Sequence, residues 1–207
     1  MAHLFWRQVT HARCYSTGGT SNYEHWQTEP NKLATELSPD SQESCCTYNM
    51  LKLTRHLFMW DPRPTYADYY ERALYNSILS TQDPETGMMM YFVALNPGHW
   101  KLYNTPRDSF WCCTGTGIEN HAKYGDSIYF YDDAGLLVNL FIPSELDWPH
   151  KGLRLRQETR FPEDGTTSLF VHANKPIELA VRIRVPYWAM GDVAVEVNGQ
   201  SQTIKAK

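Results

Sequence analysis

The spacing of apolar residues changes from a helical period to a strand period part-way along the chain. In the first helical stretch the apolar residues recur at steps of three and four, at Met50, Leu53, Leu57 and Trp60. This spacing predicts an amphipathic helix over residues 46–60, which ends before Pro62 because proline cannot continue a helix. A second set recurs every four residues, at Tyr66, Tyr70, Leu74 and Ile78. It predicts a helix over residues 65–81, antiparallel to the first, so that the two form a helical hairpin.

The segment that follows this hairpin is less regular. Residues 88–95 form an apolar run that predicts a strand or an extended stretch, and residues 96–108 read as a polar loop. A short helix is predicted over residues 117–124. We expect Gly115 to lie in a turn before it, because glycine allows unusual backbone angles.

From Ser127 onward the pattern is that of β-structure. Candidate strands cover residues 127–132, 136–142, 152–160, 167–173, 177–185 and 193–198. Their spacing of roughly ten residues is typical of an antiparallel sandwich. The fold class is therefore mainly α, followed by antiparallel β strands. The chain starts in what reads as a loop before Gly18-Gly19, and two or three helices cannot close a core around so many aromatic residues, so we expect a fragment of a larger protein.

Composition and charge exclude several classes of protein. Hydrophobic residues make up 42% and charged residues 20% of the 207 residues, as in ordinary globular domains. The net charge is −4 and the Lys and Arg residues are scattered, so a nucleic-acid partner is not expected. No apolar run approaches the length of a membrane span, and the N-terminus lacks the features of a signal peptide, so the sequence indicates no cellular location. The aromatic content of 14% suits a site that stacks sugar rings, but a large helical core is the more ordinary interpretation.

Two adjacent cysteine pairs, Cys45-Cys46 and Cys112-Cys113, give the strongest chemical signal. Adjacent pairs and an odd total of five cysteines make a poor disulfide framework. Three thiols and the carboxylate of Glu43 could instead form a four-coordinate zinc site, although the CxxC spacing of zinc fingers is absent. Cys112 and Cys113 precede a predicted helix start, where the helix dipole favours a thiolate. The alternative is that the cysteines are small buried apolar residues.

A glycine-led loop, Gly18-Gly19, presents the carboxylate of Glu24 beside aromatic residues. An acid in desolvated surroundings can serve as a general acid, but a solvated loop carboxylate is the more ordinary interpretation. For Glu71, on the second predicted helix, a surface ion pair is the more ordinary interpretation than a substrate contact. The chain contains no GxSxG, GxGxxG or GxxxxGK[ST] motif, and its eight histidines show no HExxH spacing.

Five motifs occur in order along the chain: residues 15–19 with Glu24, Glu43-Ser44-Cys45, residues 47–55, residues 69–76, and Phe110-Trp111-Cys112-Cys113. Together they resemble the β-L-arabinofuranosidases of glycoside hydrolase families 127 and 146, and the likeness continues through residues 120–131 and 136–148. The resemblance implies an (α/α)₆ barrel followed by β-sandwich domains. Residues 1–126 would then be the C-terminal part of the barrel and residues 127–207 the beginning of a sandwich.

The resemblance also implies a metal ion and its ligands. In these families zinc is held by one glutamate and three cysteines, which correspond here to Glu43, Cys45, Cys112 and Cys113. Zinc would keep the thiolate ionised near neutral pH.

The implied reaction is a retaining hydrolysis that releases non-reducing-end β-L-arabinofuranose. Cys112 would be the nucleophile and Glu24 the general acid and base, in place of the usual pair of carboxylates. Glu71 and Tyr91 fall where the families contact the sugar. The expected partner is an arabinofuranose-containing oligosaccharide or glycoconjugate.

The sequence departs from the family pattern at two positions. Cys46 stands where relatives usually have another residue, and it either competes as a ligand or packs. Tyr23 replaces the small residue that commonly precedes the catalytic glutamate, which could narrow the site or alter specificity. The alternative function is an inactive fragment that acts as a carbohydrate-binding or structural zinc module, since residues 127–207 could bind glycan without the helical part.

Overall fold

The chain divides into a helical unit, Met1–Asp126, and a β unit, Ser127–Lys207. The computed structural model describes residues 1–189 and 193–202. The order of mainly α structure followed by strands is as predicted. Residues 190–192 and 203–207 of the predicted sandwich domain lie outside the described residues. The assignment of the helices to an (α/α)₆ barrel stays a prediction.

Four α-helices form the frame of the helical unit: α1 Ala2–Ala12, α2 Ser44–Trp60, α3 Pro64–Ala73 and α4 Cys112–His121. Helix α1 replaces the loop that the sequence interpretation placed at the start of the chain. Its buried residues Trp6, Val9 and Thr10 share one face, but no side chain caps its N-terminus, so the local start signal is missing. Among the described residues, no helix is long and apolar enough to span a membrane.

Aromatic packing joins α1 to the other helices. The indole nitrogen of Trp6 donates a hydrogen bond to Thr54 Oγ1 on α2 over 2.8 Å. The same ring packs edge-on against Tyr66 and Tyr69 of α3, with centroid distances of 4.7 and 5.8 Å. These rings are buried, so the aromatic residues at this position form core rather than a sugar-stacking surface.

The predicted hairpin is present, with two changes. Helix α2 begins two residues earlier than expected and ends at Trp60, before Pro62. The helix expected over residues 65–81 is α-helical only to Ala73. It continues as a π-helical turn, Leu74–Ile78, and a 3₁₀ turn, Leu79–Thr81. The spacing of apolar residues does not distinguish the α-helical, π-helical and 3₁₀ turns. Apolar residues at every fourth position are compatible with a local change in the backbone hydrogen-bond pattern.

Helix α4 corrects the prediction for residues 117–124. The helix begins at Cys112, and Gly115 lies inside it instead of in a turn. Gly117 is needed for packing, since a Cβ atom there would lie 2.7 Å from Met89 Cγ. The expected strand at residues 88–95 is an extended stretch whose residues make only isolated bridges.

The β unit contains eight described strands: β1 Tyr129–Asp132, β2 Gly135–Val138, β3 Ser144–Trp148, β4 Leu153–Thr159, β5 Thr167–Ala173, β6 Ala180–Ile183, β7 Val195–Val197 and β8 Gln200–Gln202. They form the sheets β1-β2-β6, β3-β4-β5 and β7-β8. Strands β3 and β8 fall outside the predicted ranges. The expectation of a purely antiparallel arrangement was wrong, because β2 and β6 pair in parallel.

One apolar core joins the two larger sheets of the β unit. Leu136 and Val138 of β2 pack with Leu153 and Leu155 of β4, and all four are almost fully buried. Strand β4 shows the alternation on which its prediction rested, with buried leucines between exposed residues.

Candidate active site

The buried acidic group of the site belongs to Glu43, which lies immediately before α2. Its backbone is extended, with φ −54° and ψ 128°, and its carbonyl accepts a hydrogen bond from Thr47 N over 3.2 Å. Its own N–H donates to Ser21 Oγ over 3.1 Å, and it forms a bridge with Phe92. Only 6% of Glu43 is exposed. The helix start and two neighbouring loops therefore hold a buried carboxylate in place.

Three cysteines lie beside this carboxylate. Cys45 belongs to the first turn of α2, while Cys112 and Cys113 are the first two residues of α4. The ligand atoms of Glu43 and the three cysteines all lie within 4.8 Å of one another. Glu43, Cys45 and Cys113 are buried, whereas Cys112 is exposed. The structure thus brings together the four residues named as zinc ligands and leaves one thiol accessible.

The spacing and the chemistry of these atoms suit a zinc ion. The Cys45 and Cys113 sulfurs are 3.2 Å apart, and those of Cys112 and Cys113 are 3.9 Å apart. Glu43 Oε1 lies 3.7 Å from Cys113 Sγ and 3.9 Å from Cys112 Sγ. A tetrahedral site with bonds of about 2.3 Å has ligand atoms about 3.8 Å apart. Three thiolates and one carboxylate are a donor set that zinc accepts, so these residues could hold this metal.

The thiols differ in their acidity in the absence of a metal. Hydrogen bonding from Cys113 lowers the pKa of Cys45 to about 7, and the same contact, together with burial, raises the pKa of Cys113. Burial also raises the pKa of Cys112. Burial and the Cys45 thiol oppose the ionisation that the helix start is expected to favour at Cys112 and Cys113, so this expectation stays a prediction.

Cys46 stands outside the four-residue cluster but contacts one of its members. Its thiol donates a hydrogen bond to Glu43 Oε2 over 2.7 Å. Burial and the Glu43 carboxylate raise the pKa of Cys46 to about 12.

Two of the other three predicted site residues, Tyr91 and Glu24, are linked to Cys112 by side-chain contacts. The Cys112 thiol lies 3.4 Å from the Tyr91 hydroxyl oxygen, and the Tyr91 hydroxyl hydrogen-bonds to Glu24 Oε1. Burial, together with the Cys112 and Glu24 contacts, raises the pKa of Tyr91 well above its usual range. Glu24 is exposed, which agrees with the solvated loop carboxylate and not with desolvated surroundings.

The loop that carries Glu24 has an unusual backbone. Ser21, Tyr23 and Glu24 all have positive φ, at 81°, 47° and 66°. The loop is held by the hydrogen bonds from Gln42 N to Ser21 O and from Tyr23 N to Asp40 O, each 3.0 Å long. Non-glycine residues with positive φ cost free energy and persist where surrounding contacts impose them.

The two glycines before this loop are required by close approaches. A Cβ atom at Gly18, whose φ is +92°, would lie 2.6 Å from the Cα of Ala73, at the end of α3. One at Gly19 would lie 2.0 Å from Gln42 Oε1. The glycines let the loop pack directly against α3 and against the segment that leads to Glu43.

Glu71 is the last of the predicted site residues. It is buried within α3, with 4% of its surface exposed. The interpretation of Glu71 as a member of a surface ion pair was therefore wrong.

Two neighbouring residues were missed by sequence reasoning. Thr116 Oγ1 lies 3.1 Å from Cys45 Sγ, and the ring of Trp111 packs edge-on against Tyr91 at a centroid distance of 5.7 Å. Thr116 follows Cys112 by four residues, a spacing that places both on one helix face. The sequence contains this spacing, but it does not predict a shared helix face when the helix is expected to begin at residue 117.

Comparison with known proteins now gives the family. The model of the β-L-arabinofuranosidase GH127 catalytic domain matches residues 1–126, and that of the GH127 middle domain matches residues 135–207. The chain belongs to the GH127 β-L-arabinofuranosidase family. The family resemblance inferred from the motifs is confirmed.

Individual relatives agree with this assignment. A non-reducing end β-L-arabinofuranosidase of Bifidobacterium longum subsp. longum is 26% identical over 96% of the chain and 32% of its own length. The crystal structure of a GH127 β-L-arabinofuranosidase from Geobacillus stearothermophilus T6 matches with a TM-score of 0.79 and 25% identity, over 96% of this chain and 33% of that one. A solved GH127 β-arabinofuranosidase, 21% identical, shares the fold with a TM-score of 0.77 over 98% of this chain and 34% of that one. The chain spans about a third of the length of these relatives.

Proposed function

We propose that this chain carries the reacting groups of a retaining glycosidase that releases β-L-arabinofuranose from the non-reducing end of an oligosaccharide or glycoconjugate. The observation that carries the proposal is the accessible Cys112 thiol, which belongs to a cluster of possible metal ligands and is linked through Tyr91 to Glu24. The catalytic-domain match over residues 1–126 and the Bifidobacterium relative support the substrate class.

Glu43, Cys45, Cys112 and Cys113 would hold a zinc ion. When bound, zinc stabilises the thiolate form of its cysteine ligands near neutral pH. Three of the four ligand residues are buried, which suits a fixed site, and the exposed fourth is the one that needs to reach the sugar.

The reaction would consist of two displacements at the anomeric carbon. In the first, Cys112 Sγ attacks this carbon, and Glu24 gives its proton to the leaving oxygen. In the second, Glu24 takes a proton from water, the water oxygen attacks the anomeric carbon, and the bond to Cys112 Sγ breaks. Two inversions give net retention of configuration.

Tyr91 and Glu71 would assist by binding the sugar. Tyr91 supports this role through its position between Cys112 and Glu24, where its hydroxyl contacts both. The role of Glu71 rests on the family resemblance, since its side chain is buried within α3.

We also propose that residues 1–126 are part of an (α/α)₆ barrel and that residues 127–207 belong to a β-sandwich domain. The boundaries of the two family matches and of the two units lie close to residue 127. The shared core of the two larger sheets supports the sandwich.

Zinc stoichiometry tests the metal site directly. Native mass spectrometry of the folded chain should show one zinc ion per chain, and the variants Cys45→Ala and Cys112→Ala should lose it. A Cys14→Ala variant is the matched control, because Cys14 contacts Tyr15 and Arg72 rather than the cluster. A folded wild-type chain without zinc would remove the metal from the proposal.

Hydrolysis of an aryl β-L-arabinofuranoside tests the nucleophile. The Cys112→Ser variant should lose turnover, while Cys14→Ser should retain it, and mass spectrometry after a rapid quench should locate a pentosyl adduct on Cys112 of the wild type. Turnover by Cys112→Ser at the wild-type rate would exclude Cys112 as the nucleophile.

The exposure of Glu24 favours a second candidate, a non-catalytic zinc or carbohydrate-binding module. Binding of arabinofuranosyl oligosaccharides that survives in a Glu24→Gln, Cys112→Ser double variant, together with no hydrolysis by the zinc-loaded wild type, would favour this candidate.

A further inference from the structure

Cys46 lies against the side of the Glu43 carboxylate that faces away from the cluster. Its sulfur is 2.7 Å from Glu43 Oε2. The other oxygen, Oε1, lies 3.7 Å from Cys113 Sγ and 3.9 Å from Cys112 Sγ. The two oxygens of one carboxylate therefore have separate partners.

The chemistry of these groups fixes the direction of the hydrogen bond. An ionised carboxylate can only accept, so the Cys46 thiol is the donor. Glu43 is almost fully buried, and removal of the thiol would leave Oε2 without this donor in a place where a lost hydrogen bond is costly. The bond also restricts rotation of the carboxylate about its terminal torsion, which is otherwise broad.

We propose that Cys46 is a positioning residue, which holds the Glu43 carboxylate by a hydrogen bond to Oε2 so that Oε1 faces the thiols of the metal site. The proposal rests on the metal site of the proposed function. Groups that hydrogen-bond to metal-ligating carboxylates orient the ligand and increase metal affinity.

The position of Cys46 on its helix separates this role from that of a ligand. Cys45, the preceding residue, directs its sulfur to Cys113 and Thr116, whereas the sulfur of Cys46 contacts Glu43 Oε2 and the carbonyl oxygen of Glu24, 3.8 Å away. Adjacent residues of a helix point about 100° apart. Helix geometry thus directs the Cys45 sulfur to the thiols of the cluster and the Cys46 sulfur to Glu43 Oε2.

The test compares zinc affinities of variants of the full chain, measured by competition with a chromophoric chelator. Cys46→Ala and Cys46→Val remove the donor, and Val keeps most of the volume. Both should weaken zinc binding by about 10-fold. Cys46→Ser keeps a donor and should bind zinc with nearly wild-type affinity. Cys14→Ala is the control for removal of a cysteine outside the cluster, and circular dichroism checks folding.

The outcomes separate the hydrogen bond from its alternatives. Unchanged zinc affinity in Cys46→Ala, or equal weakening by Ser, Ala and Val, would overturn the positioning role. Cobalt substitution provides a second readout, because thiolate-to-cobalt charge-transfer absorption reports the number of sulfur ligands. This absorption should be the same in the wild type and Cys46→Ser, and a decrease would make Cys46 a ligand.

Failure of the metal site itself has a different signature. If the wild type binds no zinc, or if Cys45→Ala leaves zinc affinity unchanged, the proposed metal site fails and the role of Cys46 fails with it. Wild-type zinc binding that is lost in Cys45→Ala but unaltered in Cys46→Ala rejects the role of Cys46 alone.

Discussion

The helical unit and the β unit differ in where they place polar groups and unusual backbone angles. A set of polar residues in the helical unit is buried around the site: Thr20, Ser21, Ser41, Gln42, Glu43, Ser44 and Thr47. Among the described non-glycine residues, five with positive φ lie between positions 21 and 42, whereas the β unit has one, Asn198. Strained backbone and buried polarity are costs that proteins concentrate at functional sites. The difference supports the proposal that the reacting groups belong to the helical unit.

Buried polar side chains in the β unit bond to backbone carbonyls near the ends of strands. The Asn139 amide donates to Ser127 O over 2.9 Å, and the Gln157 amide donates to Leu140 O and Ile142 O over 3.0 and 2.9 Å. These contacts satisfy carbonyl groups where strands end or bend. Ser41, Ser44 and Thr47 of the helical unit also donate to backbone carbonyls, so the two units differ in where their buried polar residues lie, which in the helical unit is beside Glu43 in the sequence.

The largest effect should follow from removal of the proposed general acid. Glu24→Gln keeps the shape of the side chain and removes the transferable proton, so hydrolysis of an arabinofuranoside with a poor leaving group should slow by about 10²–10⁴-fold. A substrate with a 4-nitrophenolate leaving group should lose less in the first displacement, because this group needs little protonation.

Glu29→Gln is the matched control for this prediction. Glu29 is an exposed carboxylate that pairs with Lys32 over 2.5 Å. Its replacement should leave turnover unchanged. An equal loss from both substitutions would place the effect in the loop and not in the chemistry of Glu24.

The next largest effect should be a loss of stability in the β unit that leaves the metal site of the helical unit unchanged. Leu155→Ala removes a fully buried side chain from the core of the β unit and should lower its free energy of unfolding by about 2–5 kcal/mol, measured by urea denaturation. Zinc affinity should not change. Arg154→Ala on the same strand removes an exposed ion pair to Asp147 and should cost about 0–1 kcal/mol. Weaker zinc binding by Leu155→Ala would show that the β unit supports the site.

The sequence predicted most accurately what depends on local period and on residue type. Helix α2 and strand β4 follow directly from their apolar spacing, and the four possible zinc ligands follow from cysteine chemistry and the family motifs. The start of α4 was misplaced because Gly115 suggests a turn when only neighbouring residues are considered, yet it lies inside the helix. Gly117, two residues later, accommodates Met89, a contact between residues far apart in sequence. The Cys46 hydrogen bond depends on which way a helical side chain points, and a misplaced helix start hides such information.

A smaller effect concerns two glycines of the helical unit. It should separate the free-energy cost of a positive φ angle from the cost of a steric clash. Gly18 and Gly98 both have positive φ, at 92° and 79°, but of the two only Gly18 has neighbours within 4 Å of where a Cβ atom would lie, namely Ala73 and its backbone. Gly98→Ala should therefore cost about 1 kcal/mol for the backbone angle alone. Gly18→Ala should cost about 1–3 kcal/mol more, because α3 and the loop must separate. If urea denaturation shows the same loss of unfolding free energy for both variants, the loop can move away from α3 at no measurable free-energy cost.

The smallest effect should be a pH dependence that belongs to the helical unit. His121, at the end of α4, lies beside Tyr124 and Thr81, and burial lowers its pKa below 6.5. A lowered pKa means that folding favours the neutral form of the His121 ring over the charged form. The contribution of His121 to the free energy of unfolding is therefore fully present above pH 6.5 and is lost as the pH falls through the folded-state pKa. Between pH 7.5 and 5 the wild type should lose more stability than His121→Gln, whose side chain does not titrate. His150→Gln, at an exposed position of the β unit, should follow the wild type. If His121→Gln loses as much stability as the wild type over this range, the pH dependence arises from other groups, and the contrast between the two units does not extend to titration.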